Sequence, residues 1–228
     1  MSSGKRRRET NDTDVRPGPT KKRTIASLPP LTDLPAAIVQ YFPDALQDLD
    51  PATLFQSLLA EVQGTLAQGS VRLFGKWVQE PRLASLHGAA YEYSHKKMVV
   101  HPRTPTLERI EERVLQLTGA SRPYDVVLVN FYRDGNDSIA YHSDDERAID
   151  QTDVASVSLG AERLFRMQRK QSEQPRQRKI THAGILAAGS LLWMKGQCQR
   201  LYKHELPKQP NVLQPRLNVT FRRLRSPQ

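Results

Sequence analysis

The chain has 228 residues, 38% of them hydrophobic, and a formal charge of +10 at pH 7. That is enough for one domain with extensions and a real core, and the excess of Lys and Arg points to a polyanion: nucleic acid, an acidic protein or a membrane surface. A single cysteine, Cys198, excludes an internal disulfide or a multi-cysteine zinc site, and the sequence offers neither a signal-peptide core nor the roughly 18 apolar residues of a membrane span, which sets aside secreted and membrane classes.

Residues 1–30 carry eight Lys/Arg against three Asp/Glu and almost no large apolar side chains, so half of the net charge lies in this segment. Such a composition predicts a disordered basic tail, followed by a folded domain over 31–228 that includes an N-terminal helical and substrate-lid extension. The clusters Lys5–Arg8 and Lys21–Arg23 have the spacing of a bipartite nuclear-localisation signal, which predicts a nuclear protein; a nonspecific polyanion-binding arm is the competing reading.

Two helices follow. "DPATLFQSLLAEVQG" opens with Asp50 as N-cap and Pro51 at the first helical position and ends at Gly64. "TPTLERIEERVLQLTG" sets Leu107, Ile110, Val114 and Leu117 on one face and stops at Gly119. From Asp125 onward the period changes to short β-rich runs: "VVLVNFY", "SIAYHSD", "VASVSLG", "RLFRMQR", "GSLLWMK" and "RLNVTFRRL". Many short strands without intervening helices predict a mainly β fold with flanking helices (α+β), built on a sandwich or jelly roll.

In "YHSDDE", His142 and Asp144 are two apart and face the same way from a strand, which lets them hold one metal ion. A third ligand must come from His87, His95, His101, His182 or His204. His204 fits best, in "LYKHELP" just before the last strand. Two imidazoles and a carboxylate with other positions open suit nonheme Fe(II) oxygenases, whereas an isolated pair of this kind is more often an ordinary surface pair. The last strand puts Arg216, Asn218, Thr220 and Arg222 on one face and Leu217, Val219 and Phe221 on the other. If the polar face is not solvated, its two guanidiniums require anions, and a dicarboxylate cosubstrate satisfies both. Asn130 and Tyr132 interrupt an apolar strand in the same manner.

"VNFYRDGNDSIAYHSDDE", "HELP" and "PRLNVTFR" together resemble the AlkB family of Fe(II)- and 2-oxoglutarate-dependent dioxygenases over roughly residues 40 to 225. "VRLFGKW", the following "PR" and "TLERIEERVLQLTG" are most similar to its eukaryotic branch that repairs alkylated double-stranded DNA. The resemblance implies a double-stranded β-helix in which His142, Asp144 and His204 bind Fe(II), while Asn130, Tyr132, Arg216, Thr220 and Arg222 hold 2-oxoglutarate beside a place for dioxygen. It implies hydroxylation of N-methyl groups on N1-methyladenine and N3-methylcytosine, with release of formaldehyde.

A base inside a duplex must be extruded before such chemistry reaches it. By the same resemblance Phe74, with Gly75 and Lys76 at a hairpin tip, is the wedge that enters the duplex, and core packing of Phe74 is the alternative. Tyr91, Glu92 and Tyr93 would line the flipped base, Asp145 would accept from its exocyclic amine and Arg82 would face the opposite strand. Plain surface or strand roles compete for each. The segment 166–179, dominated by Arg and Lys, reads as a phosphate-gripping loop. After His204, "PKQPNVLQP" keeps only Lys208 where the double-strand branch has a basic cluster. The expected partner is alkylated DNA, double-stranded before single-stranded, met by a monomer. The same chemistry on single-stranded DNA or RNA, or a catalytically idle nucleic-acid-binding jelly roll, are the competing functions.

Overall fold

The computed structural model describes residues 28–73, 75–90, 92–93, 96–170 and 180–225. In chain order the regular elements are β1 (Val39–Phe42), α1 (Pro51–Val62), β2 (Ala67–Leu73), β3 (Lys76–Gly88), β4 (Glu92–Tyr93), β5 (Lys96–Lys97), β6 (Val100–His101) and α2 (Pro105–Thr118). They continue with β7 (Val126–Tyr132), β8 (Ile139–His142), β9 (Ile149–Gly160), β10 (Arg163–Arg169), β11 (Ile180–Leu186), β12 (Leu191–Lys195), α3 (Cys198–Leu201), β13 (Tyr202–Leu206) and β14 (Arg216–Leu224).

Two antiparallel layers carry the fold. The larger sheet runs β1-β12-β9-β14-β7-β3-β2, with β6 joining β3 in parallel, and the smaller runs β11-β10-β13-β8. β13 and β11 were not expected as strands: Tyr202–Leu206 reads in sequence as a connection, yet it pairs with both β10 and β8. The predicted helices form where their signals lie. Asp50 caps α1 by accepting from Ala52 N and Thr53 N at 3.2 and 3.4 Å, and Thr104 caps α2 by accepting from Leu107 N at 3.4 Å.

Helices and sheet meet through one apolar layer. Leu58 and Val62 of α1 and Ile110 and Val114 of α2 are fully buried with Val127, Val129, Val157, Val219 and Phe221 of the larger sheet. Each such side chain contributes about 1.5–3 kcal/mol by leaving water. Glu61 locks the helices together, accepting from Thr106 N at 3.2 Å and from its hydroxyl at 2.7 Å.

Strand alternation then decides the inner face. With Val219 and Phe221 spent on the helices, Arg216, Asn218, Thr220 and Arg222 must point into the space between the two sheets, where all four are buried. The solvated-face alternative for this strand is thereby excluded. Gly88, at φ 91°, allows β3 to pass the Asp125 carbonyl, which a Cβ there would meet at 2.5 Å. No helix among the described residues is long and apolar enough to cross a membrane.

Candidate active site

β8 and β13 lie side by side with His204 opposite His142 in the register, so both imidazoles emerge on the same face. Their ring centroids are 4.2 Å apart. Asp144, just past the end of β8, brings its Oδ2 to 3.7 Å from His204 Nε2. One ligand atom from each of the three lies within 4.8 Å of the others, and among the described residues this is the group able to hold a metal ion. His87 is elsewhere, buried between the Ser85 hydroxyl at 3.0 Å and the Pro102 carbonyl at 2.7 Å.

Protonation suits metal binding. Burial lowers the pKa of His142, and its Nδ1 sits 2.9 Å from the Ala140 carbonyl, which can only accept; the proton is therefore on Nδ1 and the Nε2 lone pair is free. His204 is pushed down to about 3 by burial, reinforced by His142, and stays neutral. Burial pushes the Asp144 carboxyl up, but the Arg222 guanidinium paired with it is the main opposing influence, and the group is held below the ordinary carboxylate range. Two neutral imidazoles and one carboxylate form a donor set suited to Fe(II).

Asn130, Tyr132, Arg216, Thr220 and Arg222 line the same pocket as the three ligand candidates. Arg222 pairs with the Asp144 carboxylate. Arg216 is only 2% exposed; it donates to Ser158 Oγ at 2.9 Å, and its guanidinium carbon lies over the Tyr132 ring, 5.3 Å from the centroid. Among the described residues it has no ion-pair partner, and its buried Nε meets no acceptor. Burial lowers its pKa to about 10, still well above neutrality. A buried cation in this condition requires an anion, and a carboxylate is the geometric match for a guanidinium. His204 Nδ1 is likewise buried without a partner.

The chain matches the model of the 2OG-Fe(II) oxygenase superfamily over residues 32–222. It is 39% identical over 180 residues to the protein named DNA oxidative demethylase ALKBH2 of Mus musculus, covering 75% of this chain and 74% of that one. Against the Homo sapiens protein of the same name it is also 39% identical over 180 residues, with 75% and 67% covered. This chain is a 2OG-Fe(II) oxygenase of the AlkB family. The solved structure of OsALKBH1 shares the fold, with a TM-score of 0.57 at 16% identity and coverage of 81% and 97%. The jelly roll expected from the strand pattern is thus the fold of this oxygenase, and Fe(II), 2-oxoglutarate and dioxygen are its cofactors.

Substrate-side expectations fare unevenly. Arg82 was expected to face a DNA strand, but in the oxygenase it is buried in β3, donating to Asn130 Oδ1 at 2.9 Å and Glu80 Oε1 at 3.1 Å. It braces Asn130 because position 82 shares its face of the sheet with the pocket. Lys76 is exposed and Gly75, at φ 81°, turns the β2–β3 hairpin, whose flanks expose Trp77 (73%) and Val78 (44%). Asp145 is half exposed and paired with Lys170 at 3.1 Å. Glu92 and Tyr93 lie in β4 opposite Lys97 and Lys96. Phe74, Tyr91, residues 171–179, the basic clusters 5–8 and 21–23 and the side chains of Glu92 and Tyr93 lie outside the described part.

Sequence reasoning left Phe165 unnoticed and, although it placed Asn218 on the polar face of the last strand, gave it no role in the oxygenase site. Phe165 stacks on His204 at 5.4 Å and 25°, and Asn218 donates to Ser156 Oγ at 2.8 Å and the Val157 carbonyl at 3.0 Å. Asn218 was visible on the polar face of β14. Phe165 gave no signal, because its role exists only through the pairing of β10 with β13.

Proposed function

We propose that this oxygenase is a DNA repair enzyme that demethylates N1-methyladenine and N3-methylcytosine oxidatively and releases formaldehyde, with duplex DNA as its main substrate. The observation that carries the reading is the buried Arg216, without an ion-pair partner among the described residues, beside the convergent His142, Asp144 and His204. The choice of DNA is supported by the names of its relatives and by the chain's net charge of +10.

His142, Asp144 and His204 would hold the iron, Arg216 the far carboxylate of 2-oxoglutarate. When bound, these cofactors and dioxygen supply an oxidation in which 2-oxoglutarate becomes succinate and carbon dioxide, one oxygen atom enters succinate and the other enters the N-methyl group, whose hydroxymethyl product falls apart to formaldehyde and the restored base. The chain's task is placement. Asn130, braced by Arg82, and Thr220, bonded to Asn218 Oδ1 at 3.2 Å, define the polar wall. Leu186, Met194 and Phe165 supply an apolar wall that limits water.

For the DNA side, the exposed Trp77 and Val78 flank the hairpin tip at which Phe74 would act as wedge, an apolar surface suited to unstacked bases. Lys76, Tyr91, Glu92, Tyr93 and Asp145 would complete the reception of the flipped base. One observation favours single-stranded DNA or RNA instead: the stretch 207–215 holds one basic residue, Lys208. The reading extends to a tail over 1–30 that directs the protein to the nucleus, supported by its two basic clusters, and to a catalytic domain over 31–228 acting as a monomer.

The test is formaldehyde release from one methylated sequence presented as duplex DNA, single-stranded DNA and RNA, with Fe(II) and 2-oxoglutarate each present or omitted. Release is expected only with both, fastest on duplex DNA, and absent in His204→Ala. Full turnover by that variant would refute the ligand assignment, and a preference for RNA the substrate.

A further inference from the structure

Asp144 stands beyond the last residue of β8, where the strand ladder no longer fixes the backbone. Gln199, the second residue of α3, meets it there with a side chain that is fully buried (0% exposed). Gln199 Oε1 accepts the Asp144 backbone N–H at 3.0 Å, across 55 positions of sequence. Its Nε2 donates to Met194 Sδ at 3.4 Å, so both ends of the amide are engaged.

The neighbours repeat the connection. Ser143 Oγ donates to the Tyr202 carbonyl at 3.0 Å. Lys170 Nζ donates to the Gln199 carbonyl at 2.7 Å while pairing with Asp145 at 3.1 Å. Residues 143–145 are thereby tied to the segment 199–202, which leads directly into the strand carrying His204.

We infer that Gln199 is a positioning residue for the metal centre: its side chain anchors the backbone of Asp144 and so sets that carboxylate at bonding distance from the ion held by His204. The inference rests on the ligand assignment above. Arg222 reaches the carboxylate and orients the side chain; Gln199 reaches the main chain and fixes where that side chain starts. Neither substitutes for the other. Donors that are already in place bind a metal without first being ordered, and loss of such an outer partner typically weakens metal affinity by roughly 10- to 100-fold. A glutamate at 199 keeps an acceptor for the Asp144 N–H, whereas a leucine of similar size leaves that N–H buried and unmet.

The test uses the full chain and Co(II) as probe, titrated by visible absorption without substrate, alongside the melting temperature of the metal-free protein. Gln199→Leu is expected to bind Co(II) about 10- to 100-fold more weakly than the wild type, and Gln199→Glu to restore binding. Wild-type affinity in Gln199→Leu, or a glutamate variant as weak as the leucine one, overturns the inference. His204→Ala separates the two layers: undiminished Co(II) binding there defeats the ligand assignment itself, whereas its loss there beside intact binding in Gln199→Leu defeats only the role of Gln199. Amide exchange in the metal-free wild type needs no variant to fold. The Asp144 N–H should be strongly protected, and exchange at the rate of an unstructured amide overturns the anchor.

Discussion

Arg222 and Asp144, 78 positions apart in sequence, form a buried ion pair between the last strand of the larger sheet and the carboxylate that follows β8. The pair keeps Asp144 anionic before any metal arrives, with burial opposing and Arg222 outweighing it. Replacing Arg222 by Leu strands a buried carboxylate, which costs about 3–5 kcal/mol in the metal-free protein. Because a divalent ion supplies the missing positive charge, Co(II) should raise the melting temperature of Arg222→Leu more than that of the wild type. Thermal melts with and without Co(II) check this, and equal shifts would remove the claimed compensation.

Arg216 concerns the cosubstrate rather than the metal. Its guanidinium lies in the pocket without an anion among the described residues. Arg216→Ala should therefore raise the KM for 2-oxoglutarate roughly 10- to 100-fold, the worth of a charged hydrogen bond, while Co(II) affinity stays near the wild-type value. Succinate formation against 2-oxoglutarate concentration reads the first quantity; an unchanged KM contradicts the proposed anchor.

Asp137 predicts a pH dependence away from the metal centre. Its carboxylate is buried and accepts from Arg133 N at 2.9 Å, Nε at 2.8 Å and a terminal guanidinium nitrogen at 2.7 Å. Burial pushes its pKa up, yet these bonds outweigh burial and leave it below the usual value. A carboxyl lowered on folding adds stability above its unfolded pKa, near 3.9, and loses that contribution as pH falls through the folded value. Asp137→Asn should thus be less stable than the wild type at pH 7 by about 1–2 kcal/mol, and the gap should close below about pH 4, as urea melts across pH would show. A gap independent of pH would assign the loss to packing.

The α1 cap isolates a local contribution. Asp50, held at φ 55°, accepts two backbone N–H groups and the Thr53 hydroxyl. Asp50→Ala should lower the melting temperature by a few degrees, roughly 2–4 °C, with metal affinity intact. Weakened Co(II) binding would reveal coupling between α1 and the pocket.

Phe74 tests the wedge. Phe74→Ala should slow repair of duplex DNA on the order of tenfold while single-stranded repair changes little, because only the duplex requires a gap to be filled. Parallel rates on the two substrates decide it, and equal losses count against intercalation.

The sequence alone set the helices through Asp50–Pro51 and Thr104–Pro105, the faces of β14 through strict alternation, and the pairing of His142 with Asp144 through their two-residue spacing. These features are local, governed by backbone periods of 3.6 and 2 that any chain expresses in its own order of residues. It also identified the family, because the spaced residues of the pocket must recur whatever surrounds them.

The rest depended on partners distant in the chain. The sequence already favoured His204 as third ligand, but its convergence on His142 comes from the pairing of β13 with β8, and the same pairing turned an apparent connection into a strand. Arg82 reads as a surface cation until β3 is laid beside β7, which buries it against Asn130. Gln199 carries no local mark at all; its amide matters because folding brings the Asp144 N–H to it from 55 residues away. Local period determines which way a side chain points, but what it meets is fixed by the long-range pairing of strands, and the chemistry of this pocket resides in those meetings.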